Sequence, residues 1–151
     1  MKPEFFRAQD RYQERISKRI GYATHIENNE VTLTDEKGDT FTAPLDSLEY
    51  APVKSDGEYW IKLNSNYPIT RTNAFLCRKA GDKDALPVGD HVCIGGADQV
   101  RFGDHQGQWQ VTIDAPYDEE TDSDVRFVGY FASRKEAIEV LWNERKSIAT
   151  D

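Results

Sequence analysis

Trp109, Val111 and Ile113 alternate with Gln108, Gln110 and Thr112, the period-two pattern of a strand buried on one face. Residues 125–131 form a second β-rich run, closed by Ala132 and Ser133. Val100, Arg101 and Phe102 predict a shorter strand ahead of both, with residues 103–107 as its turn. The period then changes. Ala137, Ile138, Leu141 and Ile148 mark an apolar stripe at helical spacing, with Trp142 beside it. Ser133 and Glu136 have the S-x-x-E spacing of a capping box, in which each side chain satisfies a backbone N–H near the other. A helix is therefore predicted over residues 134–146, lying across the sheet and covering Trp109, Val111 and Ile113.

At the other end, Phe5, Ala8, Tyr12 and Ile16 sit at i, i+3, i+7 and i+11, with Phe6 widening the stripe. Pro3 suits a first helical turn. The spacing predicts an N-terminal helix within residues 1–18. From residue 18 the pattern turns to strands: Ile20, Tyr22 and Ile26, then Val31 and Leu33 between threonines, then Phe41 and Ala43. Residues 27–30 and 35–39 are turns, and Gly38 supplies positive φ. Residues 44–50 read as one 3₁₀ turn leading to a short fourth strand. The stretch K-S-D-G-E, residues 54–58, is the best linker. Tyr59, Trp60, Ile61 and Leu63 form the next strand, residues 69–77 read as a strand or a short helix with Thr70, Thr72 and Phe75 favouring the strand, and residues 80–89 are a loop. His91 to Ile94 is a short strand closed by Gly95 and Gly96. The predicted fold class is α+β: an N-terminal helix (1–18), a small β lobe (19–53), and an α+β lobe (58–151) with a three-stranded antiparallel sheet against one helix.

Val100, Arg101, Gly107 and Trp109, followed by Val128, Gly129, Phe131, Ser133, Glu136 and Ala137, give residues 100–148 a pattern that resembles the AP2 domain of plant transcription factors. The resemblance implies a three-stranded sheet laid in the DNA major groove. The chain departs from it at Asp114, where that family usually carries arginine. Arg126 also lies one residue closer to the glycine than the family's strand-three arginine. Residues 19–53, three hairpin-linked short strands and a one-turn 3₁₀ element, resemble an SH3-like barrel. Such barrels serve peptide, nucleic-acid and structural roles alike.

The 151 residues are 38% hydrophobic and 30% charged, enough for a core under a well-solvated surface. No run of about 18 apolar residues predicts a membrane span. The N-terminus lacks the apolar stretch of a signal peptide, so a cytoplasmic location is expected. Two cysteines are too few for a disulfide framework, and in a reducing cytosol they are thiols. The net charge of −8 is uneven: residues 1–20 carry six basic and three acidic groups, the remaining 131 carry 13 and 24. A basic N-terminal helix on an acidic body points to intramolecular docking, a homodimer contact, or simply a solvated face. The acidic body disfavours nonspecific nucleic-acid binding and suits a basic partner.

Residues 114–124 concentrate that charge. Asp114, Asp118, Glu119, Glu120, Asp122 and Asp124 carry six carboxylates among eleven residues. Their spacing is not that of a Ca²⁺ loop. They read as a solvated hairpin connection or as a surface for a basic partner. Tyr117 within the run, with Arg126 and Tyr130 beyond it, are residue types enriched at interfaces. Cys77, His91, Cys93 and His105 include the donor types zinc takes, but their spacing matches no known finger, and no metal or other cofactor is expected. Asp90, His91 and Cys93 also read as a thiol with a nearby base, lacking a third group to orient it. No phosphate-cradling loop, nucleophile elbow or zincin motif is present. The leading expectation is a non-enzymatic interaction protein: an acidic inhibitor, anti-defence or immunity-type factor that occupies a basic protein surface by nucleic-acid mimicry. The alternative is an AP2-like nucleic-acid-binding accessory protein using Arg101, Arg126 and the basic residues Arg7, Arg11, Arg15, Lys18 and Arg19. An enzyme using Cys93 and His91 comes third.

Overall fold

The computed structural model describes residues 1–65, 72–81 and 91–147, and these are mostly β. The chain divides into two compact units, Met1–Pro52 with Leu63–Thr72, and Val53–Lys62 with Asn73–Asp151.

The first unit holds β1 (Arg11–Glu14), β2 (Ile20–Glu27), β3 (Glu30–Thr34), β4 (Thr40–Pro44) and β5 (Leu48–Tyr50). They form one antiparallel sheet in the order β4-β3-β2-β1-β5. Asn28 and Asn29 join β2 to β3 with φ of 51° and 62°. Two consecutive positive φ values give the turn whose twist matches a two-residue hairpin. Between β3 and β4, Asp35 Oδ1 accepts from the N–H groups of Lys37 and Asp39, both at 3.0 Å. A 3₁₀ turn, Leu45–Ser47, leads into β5. Tyr12, Ala23, Val31, Leu33, Leu45 and Leu48 are buried beneath these strands.

The expected N-terminal helix does not form. Pro3–Phe5 is a single 3₁₀ turn, and the segment that follows turns at Gln9 (φ 72°) into β1. An isolated helix of about 14 residues is marginal in water. As a strand, the same segment pairs with β2 on one side and β5 on the other. Of the apolar stripe, Tyr12 alone is fully buried, while Ile16 is 89% exposed. At Ile16 and Ser17 the backbone N–H groups are taken by the Glu14 carboxylate, with the shortest contact 2.6 Å. The homodimer contact assigned to that helix loses its basis.

The second unit holds β6 (Lys54–Ser55), all but the last residue of β7 (Tyr59–Leu63), β8 (Ala74–Lys79), β9 (His91–Gln99), β10 (Trp109–Asp118), β11 (Ser123–Phe131) and α1 (Arg134–Asn143). Its sheet runs β11-β10-β9-β8-β7-β6. The α+β expectation is thus corrected to a mostly β chain with one helix among the described residues. The three-stranded sheet expected here is part of six strands. Residues 54–58 are a hairpin rather than a linker: β6 pairs with β7, and Asp56 Oδ1 accepts from Tyr59 N–H at 2.7 Å and Glu58 N–H at 3.0 Å. Val100 to Phe102 form no strand. The partner of β10 is β9, which runs straight through Gly95 and Gly96 instead of ending there.

Helix α1 packs on β8, β9, β10 and β11, with Ala137 and Leu141 buried, as are Trp109, Val111 and Ile113 of β10. Ser133 Oγ accepts from Glu136 N–H at 3.2 Å, and the Glu136 carboxylate accepts from Ala132 N–H, one residue before the cap. Among the described residues no helix is long and apolar enough to cross a membrane.

Candidate functional site

The acidic run is the tip of the β10–β11 hairpin. Strand β9 accompanies β10 only from Trp109 to Ile113, whereas β10 and β11 stay paired out to Asp118 and Ser123. That extension carries Asp114, Asp118, Glu119, Glu120, Asp122 and Asp124, all exposed. Tyr117 donates its hydroxyl to Asp122 Oδ1 at 2.5 Å, and Glu120 N–H donates to Asp118 Oδ1 at 3.0 Å. Asp122 takes a positive φ of 51° to close the turn. Partial burial and then the Asp124 charge hold the Asp114 carboxyl above its ordinary range, against the pull of Arg78. The Asp122 carboxylate likewise raises the Tyr117 hydroxyl.

The aromatic residues beyond the tip sit together because of a bulge. Val111 pairs with Gly129 and Thr112 with Phe127, which leaves Val128 as the extra residue of β11. Strict alternation would put residues 127 and 130 on opposite faces. The bulge restores them to one side, with ring centroids 4.9 Å apart. His105 stacks on Tyr130 at 3.7 Å and 9°, its Nδ1 within 2.7 Å of Gln108 Oε1. Phe127, Val125 and Tyr117 are 50%, 45% and 62% exposed.

Arg126 does not join this surface as a bare cation. Its guanidinium donates to Glu144 Oε2 at 2.8 Å and Ser147 Oγ at 3.3 Å, at the C-terminal end of α1. The structure therefore gathers the carboxylates with Tyr117, places Tyr130 in a separate aromatic cluster, and turns Arg126 toward the helix. Phe127 and His105 were not legible as part of that cluster, since Val128 gives no sequence signal of a bulge.

Three of the four proposed metal-site residues do meet. Cys77 and Cys93 are direct partners across β8 and β9, their Sγ atoms 3.5 Å apart. His91 brings a ring nitrogen within 4.8 Å of the sulfurs. His105 is elsewhere, on Tyr130, and Asp90 lies outside the described residues. Cys77 is buried and Cys93 is exposed. The hydrogen bond with Cys77, aided by the Lys62 charge and opposed by partial burial and Asp114, draws the Cys93 thiol down to about 6. Lys62 Nζ lies 3.0 Å from His91 Nε2, and Trp60 packs edge-on against the same imidazole at 5.9 Å. Two sulfurs and an imidazole are donors that zinc takes, and the Lys62 ammonium lies against the same imidazole.

A third feature is a cleft of about 630 Å³ in the first unit, lined by Arg11, Lys18, Arg19 and Lys37 together with Asp35 and Asp39. Arg19 is tied to Asp35 at 3.1 Å and lies over the Phe41 ring at 4.1 Å.

No family model, curated protein or solved structure matches this chain.

Proposed function

We propose that this protein is a non-enzymatic binding factor that docks its acidic hairpin on a basic surface of a protein partner. One observation carries the reading. Six exposed carboxylates, with no basic residue among residues 114–124, project on a two-stranded extension that runs into exposed Val125 and Phe127. Charge of one sign steers association and selects against like-charged partners. Adjoining apolar and aromatic surface supplies the area that charge alone does not. A carboxylate array facing a nucleic-acid-binding protein would stand in for phosphates, as an inhibitor or immunity-type factor acting in the cytoplasm.

The AP2-like alternative fares less well. Arg126 is engaged by Glu144, Arg19 by Asp35, and the remaining basic residues lie on a turn, a strand and a loop rather than on one helix face. In the first unit, the order β4-β3-β2-β1-β5 with a 3₁₀ turn before β5 supports an SH3-like reading, which bears on fold alone.

The test compares the wild type with a variant carrying Asp118→Asn, Glu119→Gln, Glu120→Gln and Asp122→Asn as baits in native-host lysate. A basic protein retained by the wild type, released at about 0.5 M salt where screening reaches a few ångströms, and not retained by the variant is the expected result. Equal retention by both baits, or tight salt-sensitive gel shifts of DNA or RNA, would overturn the reading.

A further inference from the structure

We propose that Cys77 and Cys93 form a peroxide-reactive dithiol site, in which Cys93 is oxidised by a hydroperoxide and Cys77 resolves it to a cross-strand disulfide. The two residues face each other in an antiparallel pair, and their sulfurs at 3.5 Å need to close by roughly 1.5 Å to reach bonding distance. The roles divide by access. Cys93 lies at the surface, where a small oxidant can reach it, and Cys77 is wholly buried behind it. The Lys62 ammonium lends positive charge to the Cys93 thiolate, and Lys62 is held beside His91 at 3.0 Å. An accessible thiolate next to a resolving thiol is the arrangement that oxidation selects. The inference is independent of the acidic hairpin.

In the first step the Cys93 thiolate attacks one peroxide oxygen. An S–O bond forms, the O–O bond breaks, and the departing alkoxide or hydroxide takes a proton from water. Cys93 has then given up two electrons and is a sulfenic acid. In the second step the Cys77 sulfur attacks the Cys93 sulfur, forming the S–S bond. Hydroxide leaves and takes the Cys77 proton, giving water. Two thiols and one hydroperoxide yield one disulfide, one alcohol (or water) and one water. A dithiol reductant returns both thiols.

The experiment starts from protein reduced with dithiothreitol and desalted, then exposed to one equivalent of hydrogen peroxide at pH 7. The expected product lacks two hydrogens by intact mass, yields a Cys77–Cys93 linked peptide, and reverts with dithiothreitol. Its formation is about 10-fold faster than oxidation of glutathione. Cys93→Ser, at an exposed position, abolishes the fast phase. Lys62→Met leaves both thiols in place and slows it severalfold. Cys77→Ser in turn leaves a sulfenic acid on Cys93 that dimedone traps. Thiols that persist at the pace of glutathione would overturn the proposal. So would stoichiometric zinc that copurifies and shields them.

Discussion

Tyr12 stands opposite Tyr50 across β1 and β5, with ring centroids 6.0 Å apart. Its ring also stacks on Phe6 at 5.5 Å, and its hydroxyl closes a loop on Arg7, accepting from the N–H at 2.8 Å and donating to the carbonyl at 3.1 Å. Tyr12→Phe leaves the Arg7 N–H unmatched and its carbonyl with only the Asp10 N–H at 3.4 Å, an expected loss of about 1–3 kcal/mol. Tyr12→Ala empties the site and costs about 3–5 kcal/mol. Urea unfolding checks both, and a Phe variant as stable as the wild type would show that the Arg7 contacts contribute nothing. Burial also pushes the Tyr12 hydroxyl up to about 12. A raised acid pKa stabilises the fold below the unfolded value near 10 and loses that contribution as pH rises through the folded one. Alkaline unfolding of the wild type between about pH 10 and 12 should therefore flatten in Tyr12→Phe.

What could be read along the chain depended on whether local spacing or strand pairing decides the outcome. The cap at Ser133, the alternation around Trp109 and the three-strand meander from Ile20 to Pro44 are local, and the corresponding elements are present. The stripe Phe5, Ala8, Tyr12 and Ile16 is equally local, yet pairing with β2 and β5 overrides it. His91 and Cys93, two apart, belong visibly to one strand face. That Cys77 meets them depends on the shift between Leu76 and Cys77 in the β8–β9 register, which spacing along the chain does not encode. The shift at Val128 hides the Phe127–Tyr130 contact in the same way.

Gly95 and Gly96 make a matched pair for testing the seat of α1. A Cβ on Gly95 would fall 3.0 Å from Thr112 O and 3.1 Å from both Ile113 Cγ2 and Leu141 Cδ1. One of those contacts is backbone and the others are core, so none yields freely. Gly95→Ala is expected to cost about 1–3 kcal/mol by overpacking. At Gly96 the nearest atom is Ala74 O at 3.4 Å, an ordinary contact. There the reduced freedom of the unfolded chain makes Gly96→Ala neutral or stabilising by up to about 1 kcal/mol. Thermal unfolding of the two variants side by side decides it. Equal melting temperatures would mean that the helix does not press on Gly95.

Asp56 ties the β6–β7 turn to the end of α1. Its carboxylate accepts from Tyr59 and Glu58 N–H and from Arg145 Nε at 2.9 Å. The Tyr59 bond first, then Arg145, draws its carboxyl down to about 2 from 3.8. A depressed acid pKa gives stability that is complete above the unfolded value and is lost as pH falls through the folded one. The second unit should weaken between about pH 4 and 2, and Asp56→Asn should remove that part of the acid transition. Circular dichroism across this range is the measurement. Superimposable acid curves for wild type and variant would show the Asp56 contacts to be idle.

Cys93 reports on its surroundings through its pH–rate profile. Only the thiolate alkylates, so iodoacetamide labelling should reach half its maximal rate near pH 6, where the Cys77 hydrogen bond and the Lys62 charge place the thiol, instead of near 9. The groups facing Cys93 act in opposite directions. Lys62 on β7 and Cys77 on β8 favour the thiolate, Asp114 on β10 opposes it, and His91 on its own strand holds Lys62 in place. Lys62→Met should move the midpoint up, because a favourable positive charge is gone. Asp114→Asn should move it down, because a repelling negative charge is gone. Peptide mass spectrometry of labelled protein assigns the rate to Cys93 and separates it from the buried Cys77. A midpoint that stays near 9 in the wild type, or that moves the same way in both variants, would mean that these charges do not act on Cys93 as the geometry places them.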